Sequence, residues 1–234
     1  MSHIVFKNVK KEYQISGEIK VTAAQDINFE IENGEFVIIL GSSGAGKTTL
    51  LNLIGGMEEA TSGEIIVDNK QISGLNTNKL TQYRRESVGF VFQFYNLIPD
   101  LTALENIELA THISENPFDA MEILKSVGLE RRSLNFPSQL SGGEQQRISI
   151  ARAIAKNPRI LLCDEPTGAL DSETGKSILK LLHQISKENN KTTIVVTHNP
   201  EFAKIADRII KMRNGKIEEV TLQENPLKVE NLIW

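Results

Sequence analysis

A single cysteine, Cys163, stands in the 234 residues, so an intrachain disulfide is excluded and the chain fits a reducing compartment. Positive charge is not in excess either. The 26 Lys and Arg face 30 Asp and Glu, for a net charge of −4 and a pI near 5.7. That balance gives no electrostatic case for nucleic acid, because a basic face would have to be local. Long hydrophobic runs are missing as well. The longest, such as "FVIIL", fall far below the ~20 residues a membrane helix needs, and "MSHIVFKNVK" has no apolar stretch of signal-peptide length. The chain is expected to be soluble and to reach a membrane only through a partner. Internal repeats and low-complexity segments are absent. What remains is ordinary for a globular protein: 40% hydrophobic and 24% charged residues can bury a sizeable core, as one large domain or two small ones.

Short runs rich in β-branched and aromatic residues come first. "HIVFKNVKKEY", "AAQDINFEI" and "GEFVIIL" read as strands, with Asn33-Gly34 as a tight turn between two of them. "GSSGAGKTTLLNLIGG" reads as a loop leading into an apolar helix that Gly55 can close, and "SGEIIVDN" and "SVGFVFQ" as further strands. From about Leu101 to Lys156 the pattern turns helical. Thr102 with Glu105 makes a capping box, and Ile148, Ala151, Ile154 and Ala155 form one apolar stripe. Then "RILLCDEP", "SETGKSILKLLHQISKEN", "TTIVVTH", "PEFAKIADRII" and "KMRNGKIEEV" alternate strand and helix, as in a parallel sheet covered on both faces. A helical block between the strands of an α/β core predicts one domain with two lobes.

Two stretches look like anion sites. Gly41, Ser42, Ser43, Gly44, Ala45, Gly46, Lys47 and Thr48 match the phosphate-binding loop, a glycine, four residues, then Gly-Lys-Thr. Its glycines let the backbone wrap a phosphate, Lys47 brings charge to the β and γ phosphates, and the Thr48 hydroxyl can ligate Mg²⁺. "RILLCDEP" supplies a buried strand with Asp164 at its carboxyl end, suited to the Mg²⁺ shell, and Glu165 beside it, placed to polarise an attacking water. A solvated acidic pair is the plainer reading of those two carboxylates. His198 ends "TTIVVT" at the same sheet edge, where it can reach the γ-phosphate or the water, or merely cap Asn199-Pro200. Gln93 ends "VGFVFQ", and its amide can reach metal or water. Phe94, Tyr95, Leu97 and Ile98 after it are either core or a docking groove. Tyr13 can stack on an adenine or pack under the sheet. Cys163 reads as an inert core thiol, with redox sensing as the alternative. His3, His112 and His183 have no ligand-like spacing and read as surface residues. The second anion stretch is "LSGGEQQR", whose Ser141, Gly142 and Gly143 open an apparent helix.

Taken together, these residues resemble the ATP-binding subunit of an ABC transporter, over essentially the whole chain. "GSSGAGKT" is similar to Walker A, "ILLCDE" to Walker B, "LSGGEQQR" to the ABC signature, and "GALD" to the D-loop ending at Asp171. Gln93 matches the Q-loop glutamine and His198 the switch histidine. The resemblance implies a P-loop NTPase (RecA-like) α/β fold with an antiparallel β subdomain and an inserted α-helical subdomain. It would be a single domain over 1–234, with the β/RecA-like lobe at about 1–94 and 158–234 and the helices at about 95–157. It implies that ATP and Mg²⁺ are bound by Tyr13, Gly41 to Thr49, Gln93 and Asp164, with Glu165, His198 and Gln93 in catalysis. Ser141, Gly142, Gly143, Glu144 and Asp171 are then expected to serve the ATP of a second subunit in a head-to-tail homodimer.

"RRESVGFVFQFYNLIPDLTALENIELA" and the segments around the signature and His198 are similar to the branch of the macrolide exporter MacB, the lipoprotein-releasing LolD and the cell-division ATPase FtsE. That likeness implies a separate permease with few membrane helices, an extracytoplasmic adaptor, no nucleic acid, and a place on the cytoplasmic face of the membrane. Met57-Glu58-Glu59 departs from the branch pattern, and the tail "ENPLKVENLIW" matches no motif. An FtsE-like or peptide-sensing module without cargo is the competing reading. A soluble ABC protein of translation or DNA repair is disfavoured by the single set of motifs.

Overall fold

A computed structural model describes residues 2–16, 19–188 and 190–232. Two sheets share one core. The first is antiparallel, with β1 (Ser2–Ser16), β2 (Ile19–Glu32), β4 (Ser62–Val67) and β5 (Lys70–Gln71) in the order β2-β1-β4-β5. The second comprises β3 (Phe36–Leu40), β6 (Val88–Val91), β7 (Ile160–Asp164), β8 (Thr192–Thr197), β9 (Arg208–Arg213) and β10 (Lys216–Leu222). Its order is β10-β9-β3-β8-β7-β6, parallel except for the β9–β10 hairpin.

The parallel strands are apolar throughout because both faces are covered. Val37 and Ile39, Ile160 and Leu162, and Ile194 and Val196 point towards helix α1 (Lys47–Ile54) and the antiparallel sheet, where Phe6 stacks on Phe29 at 4.5 Å. Their neighbours Phe36, Ile38, Leu161, Cys163 and Val195 point the other way, onto α6 (Ser172–Glu188) through Ile178, Leu179 and Leu182. This strict alternation places Cys163 in the core, where burial pushes its thiol pKa up and leaves it unreactive. A third apolar cluster joins α3 (Ala103–Thr111), α4 (Ala120–Ser126) and α5 (Gly142–Ala155) through Ile107, Leu124, Ile148 and Ala155. The Thr102–Glu105 capping box opens α3 as the sequence predicts.

Asn33-Gly34 makes the predicted turn, with Gly34 at φ 78°, between β2 and β3, which lie in different sheets. Gly55 caps α1 as the sequence predicts, in right-handed geometry, and Gly56, at φ 61°, takes the left-handed position after it. Helix α2 (Thr77–Ser87) adds an element the sequence pattern does not announce; Leu80 is its one buried residue, so it carries no apolar stripe. The histidines need correction, because two of the three expected at the surface are not there. His3 is buried at 3% exposure, its Nδ1 2.6 Å from Thr192 Oγ1 and its Nε2 3.1 Å from Asp68, and His183 is half-buried against Phe36. Part of the tail is ordered: a turn at Val229–Asn231 sets Val229 and Leu232 into the core beside α6, while residues 233 and 234 lie outside the described residues.

Candidate nucleotide site

Parallel pairing builds the site. Strands β3, β8, β7 and β6 run the same way in adjacent positions, so their carboxyl ends share one edge. That edge carries the phosphate-loop motif after Leu40, Asp164 and Glu165 at the end of β7, His198 after Thr197, and Gln93 just after Val91, as ligand groups fall in open α/β sheets. An open cleft of about 650 Å³ lies there. Its walls bring together Tyr13, Ser43 to Thr49, Gln93, Asp164, Glu165 and His198.

The loop is shaped for a phosphate. Gly46 precedes α1 at φ 96°, and a Cβ there would sit 2.2 Å from the Ala23 carbonyl, so only glycine fits. It offers no side-chain cap, which leaves the first-turn amides of α1 pointing at the cleft mouth without one. Lys47 is buried, and its Nζ donates to the Gly41 and Ser42 carbonyls at 2.9 and 3.1 Å. It also stands 4.0 Å from Glu165 Oε1. The Thr48 hydroxyl meets both Asp164 carboxylate oxygens at 3.2 and 3.1 Å. Burial pushes the Asp164 carboxyl up, and adjacent Glu165 adds to this, against the opposing pull of the Thr48 hydroxyl and of Lys47.

Glu165 is held by its backbone. Its N–H donates to the Val196 carbonyl at 3.0 Å, and its φ of 45° is uncommon for a residue with a side chain. Its Oε1 lies 3.0 Å from His198 Nδ1, and the histidine is otherwise exposed. Gln93 is half-buried, its amide nitrogen 3.1 Å from where a Cβ on Gly168 would stand. Tyr13 lies on the cleft wall, its hydroxyl on the Glu58 carboxylate and 3.3 Å from Thr49 Oγ1, with Lys11 5.0 Å above the ring. Glu58, in the Met57-Glu58-Glu59 stretch, thus reaches the site through Tyr13. Burial raises the Glu58 carboxyl, but Tyr13, Asn52 and Lys11 outweigh this and hold it below the usual range.

The second anion stretch does not line this cleft. Ser141 caps α5, its side chain accepting from the Glu144 N–H at 3.3 Å. Glu144 completes a capping box by accepting from the Ser141 N–H and hydroxyl at 2.9 Å each, and Arg132 adds a 3.0 Å bond. The Ser141 amide and hydroxyl hold the Glu144 carboxyl below its ordinary pKa. Glu144 is thus turned onto its own helix, and Gly142 and Gly143 supply the uncapped amides of the first turn. Asp171 caps α6 by accepting from the Thr174 N–H at 3.0 Å. The Ser141–Glu144 box was readable as a serine followed three residues later by glutamate. The Tyr13–Glu58 contact had no signal, since it joins separate elements.

Beyond Gln93, Phe94 is 73% exposed and Ile98 39%. Leu97 instead packs on the helical cluster, and Tyr95 is half-buried. Asn106 pins this segment, accepting from the Ile98 N–H and donating to the carbonyls of Ile98, Leu101 and Thr102.

A family profile described as ABC transporter matches residues 24–168. The chain is 48% identical over 224 residues to an ABC transporter ATP-binding protein of Methanocaldococcus jannaschii, covering 92% of this chain and 95% of that one. It is 41% identical over 236 residues to a putative ABC transporter ATP-binding protein of Mycoplasma pneumoniae, covering 99% of this chain and 50% of that longer one. A dimeric structure of the M. jannaschii cassette, in a post-hydrolysis state bound to ADP and Pi, superposes with a TM-score of 0.87 at 44% identity, over 95% of this chain and 99% of that one. The chain belongs to the ABC transporter family and has the fold of that family's ATPase cassette.

Proposed function

We propose that this chain binds and hydrolyses ATP as a head-to-tail homodimer that drives a separate membrane permease. The observation that carries the reading is the split of the phosphate-binding groups. Lys47, Asp164, Glu165 and His198 line one cleft, while the Gly142 and Gly143 amides stand outside it. A second copy brings those amides to the open side of the cleft, and the dimeric M. jannaschii relative bound to ADP and Pi supports the arrangement.

In this reading Lys47 exchanges its two carbonyl partners for the β and γ phosphates, and Tyr13 lies against the base. Thr48 and Asp164 offer oxygen donors, with Gln93 nearby, and no cluster of three His, Cys, Asp or Glu that could hold a metal occurs among the described residues. Such a sparse set fits Mg²⁺, which is held largely by substrate phosphates and water. When bound, the ion neutralises phosphate charge. Glu165 takes the proton of a water whose oxygen attacks the γ-phosphorus; the bond to the bridging oxygen breaks, releasing ADP and phosphate. His198 orients Glu165 through the 3.0 Å contact. Asp171 and the Ser141–Glu144 box shape the face offered to the partner's ATP.

No helix among the described residues is long and apolar enough to cross a membrane. A permease, of the few-helix MacB or FtsX type and working with an extracytoplasmic adaptor, would dock on Phe94 and Ile98 and hold the cassette at the cytoplasmic face. The finer placement in the MacB, LolD and FtsE branch rests on the segments around Gln93, the signature and His198. Sedimentation of Glu165→Gln tests the dimer: it is expected to form a stable dimer with Mg-ATP and none without nucleotide. A strict monomer at saturating Mg-ATP refutes the reading.

A further inference from the structure

Neither Gly142 nor Gly143 has a positive φ, so backbone conformation does not explain why both are glycine. Both instead lie at close range to side chains of the same chain. A Cβ on Gly142 would stand 2.7 Å from the Tyr95 hydroxyl, and one on Gly143 2.4 Å from Thr174 Cγ2 at the start of α6. The start of α5 is therefore seated closely on the turn that follows Gln93.

That turn has little freedom to retreat. Tyr95 and Asn96 both lie in the left-handed region, at φ 33° and 50°, and the Asn96 N–H turns back to the Phe94 carbonyl. Arg152, further along α5, donates to the Tyr95 carbonyl at 3.0 Å and to the Asn96 carbonyl at 2.6 Å. The ten helical steps from Gly142 to Arg152 span roughly 15 Å. One turn thus touches α5 at two points, by the Tyr95 ring at its start and by two carbonyls near its end.

We propose that Tyr95 and Arg152 are positioning residues that lock the turn after Gln93 to α5 and so set where the Gly142 and Gly143 amides point. The inference rests on those amides serving the ATP of a second copy. It makes Gly142 a glycine for the sake of Tyr95, and it means that a partner pressing on exposed Phe94 moves the phosphate donors of α5 directly.

A double-mutant cycle tests this in the Glu165→Gln chain, reading the dissociation constant of the Mg-ATP dimer by sedimentation and Mg-ATP affinity of the monomer by titration. Gly142→Ala is expected to weaken the dimer by about tenfold or more through overpacking. Tyr95→Phe, which removes the nearest atom, is expected to stay within about threefold of the parent and to bring Gly142→Ala back to within about threefold. Arg152→Gln is expected to weaken the dimer by about tenfold, with Arg152→Lys partly restoring it. Monomer affinity stays constant throughout. A double variant as weak as Gly142→Ala alone overturns the proposal, because the glycine would then serve the phosphate and not Tyr95. An Arg152→Gln dimer of parental strength overturns the clamp. A parent chain that never dimerises is a different failure, that of the functional reading itself.

Discussion

Lys156 closes α5 and faces an open cleft of about 520 Å³, away from the nucleotide edge, that Asp68, Glu86 and Glu115 also line. Its Nζ donates to the Arg84 carbonyl at 2.9 Å. Burial, with the Arg84 charge second, lowers its pKa from 10.5 to about 8. Below that value the folded chain therefore carries a poorly solvated ammonium. A tenfold loss of proton affinity corresponds to about 1.4 kcal/mol, so the fall from 10.5 to about 8 sets a ceiling of about 3 kcal/mol. Lys156→Met removes the charge and keeps the stem, but it strands the Arg84 carbonyl beside a wet cleft, costing about 1 kcal/mol. The net expectation is a gain of about 1–2 kcal/mol at pH 7, or roughly 2–8 °C in Tm for a chain of this size. The sign with pH is fixed by linkage. Between the folded and unfolded pKa values the unfolded chain binds more protons, so the wild type gains stability as pH rises from about 8 towards 10.5. The advantage of Lys156→Met must be complete at pH 7 and smaller at pH 9.5, read by urea unfolding at both. An advantage that does not change with pH, or a variant less stable at pH 7, refutes the reasoning.

His3 gives the acid counterpart. Burial lowers its pKa, with Asp68 opposing and Arg159 assisting. The stability of neutral His3 is present above the unfolded pKa of 6.5 and is lost as pH falls through the lower folded value. His3→Gln should flatten part of the decline in unfolding free energy between pH 7 and pH 5; equal slopes in both proteins would count against the assignment. At the exposed turn, Phe94→Glu and Ile98→Glu should abolish co-purification with the permease while the ATPase rate of the isolated chain stays within about twofold. Undiminished co-purification would move the docking site elsewhere.

Legibility followed locality. The phosphate loop, the Asp164-Glu165 pair and the Thr102 cap are written within a few residues each, and the parallel strands are short, continuous apolar runs, so sequence suffices for them. Helix α2 is hidden because only Leu80 is fully buried and only Tyr83 packs beside it on the core, too few apolar residues for a stripe. The Asn76 side chain that caps it, accepting from the Lys79 N–H, was the available signal. His3 escaped because its partner Thr192 is 189 positions away, and no local pattern reports such a contact. Leu97 and Phe94 could not be told apart in a run of apolar residues. Only the packing of α3 through Asn106 decides which of them turns inward.

Two anion-binding helix starts in one chain are chemically unequal, and the inequality bears on why two copies are needed. At α1 the capping residue is Gly46, which has no side chain to compete for the first-turn amides, and Lys47 adds a full charge. That start can hold a phosphate unaided. At α5 the Ser141–Glu144 box consumes the Glu144 amide and leaves a carboxylate, held ionised by its cap, within one turn of Gly142 and Gly143. An anion approaching α5 alone meets two donors and a carboxylate whose charge the exposed Arg132 offsets only in part. A phosphate already neutralised by Lys47 in another copy meets the same two donors with most of that repulsion removed. The signature helix is therefore poorly suited to bind by itself and well suited to complete a site begun elsewhere, which supports ATP as the joint between two chains. Binding at α5 should appear only when nucleotide fills the cleft of a partner.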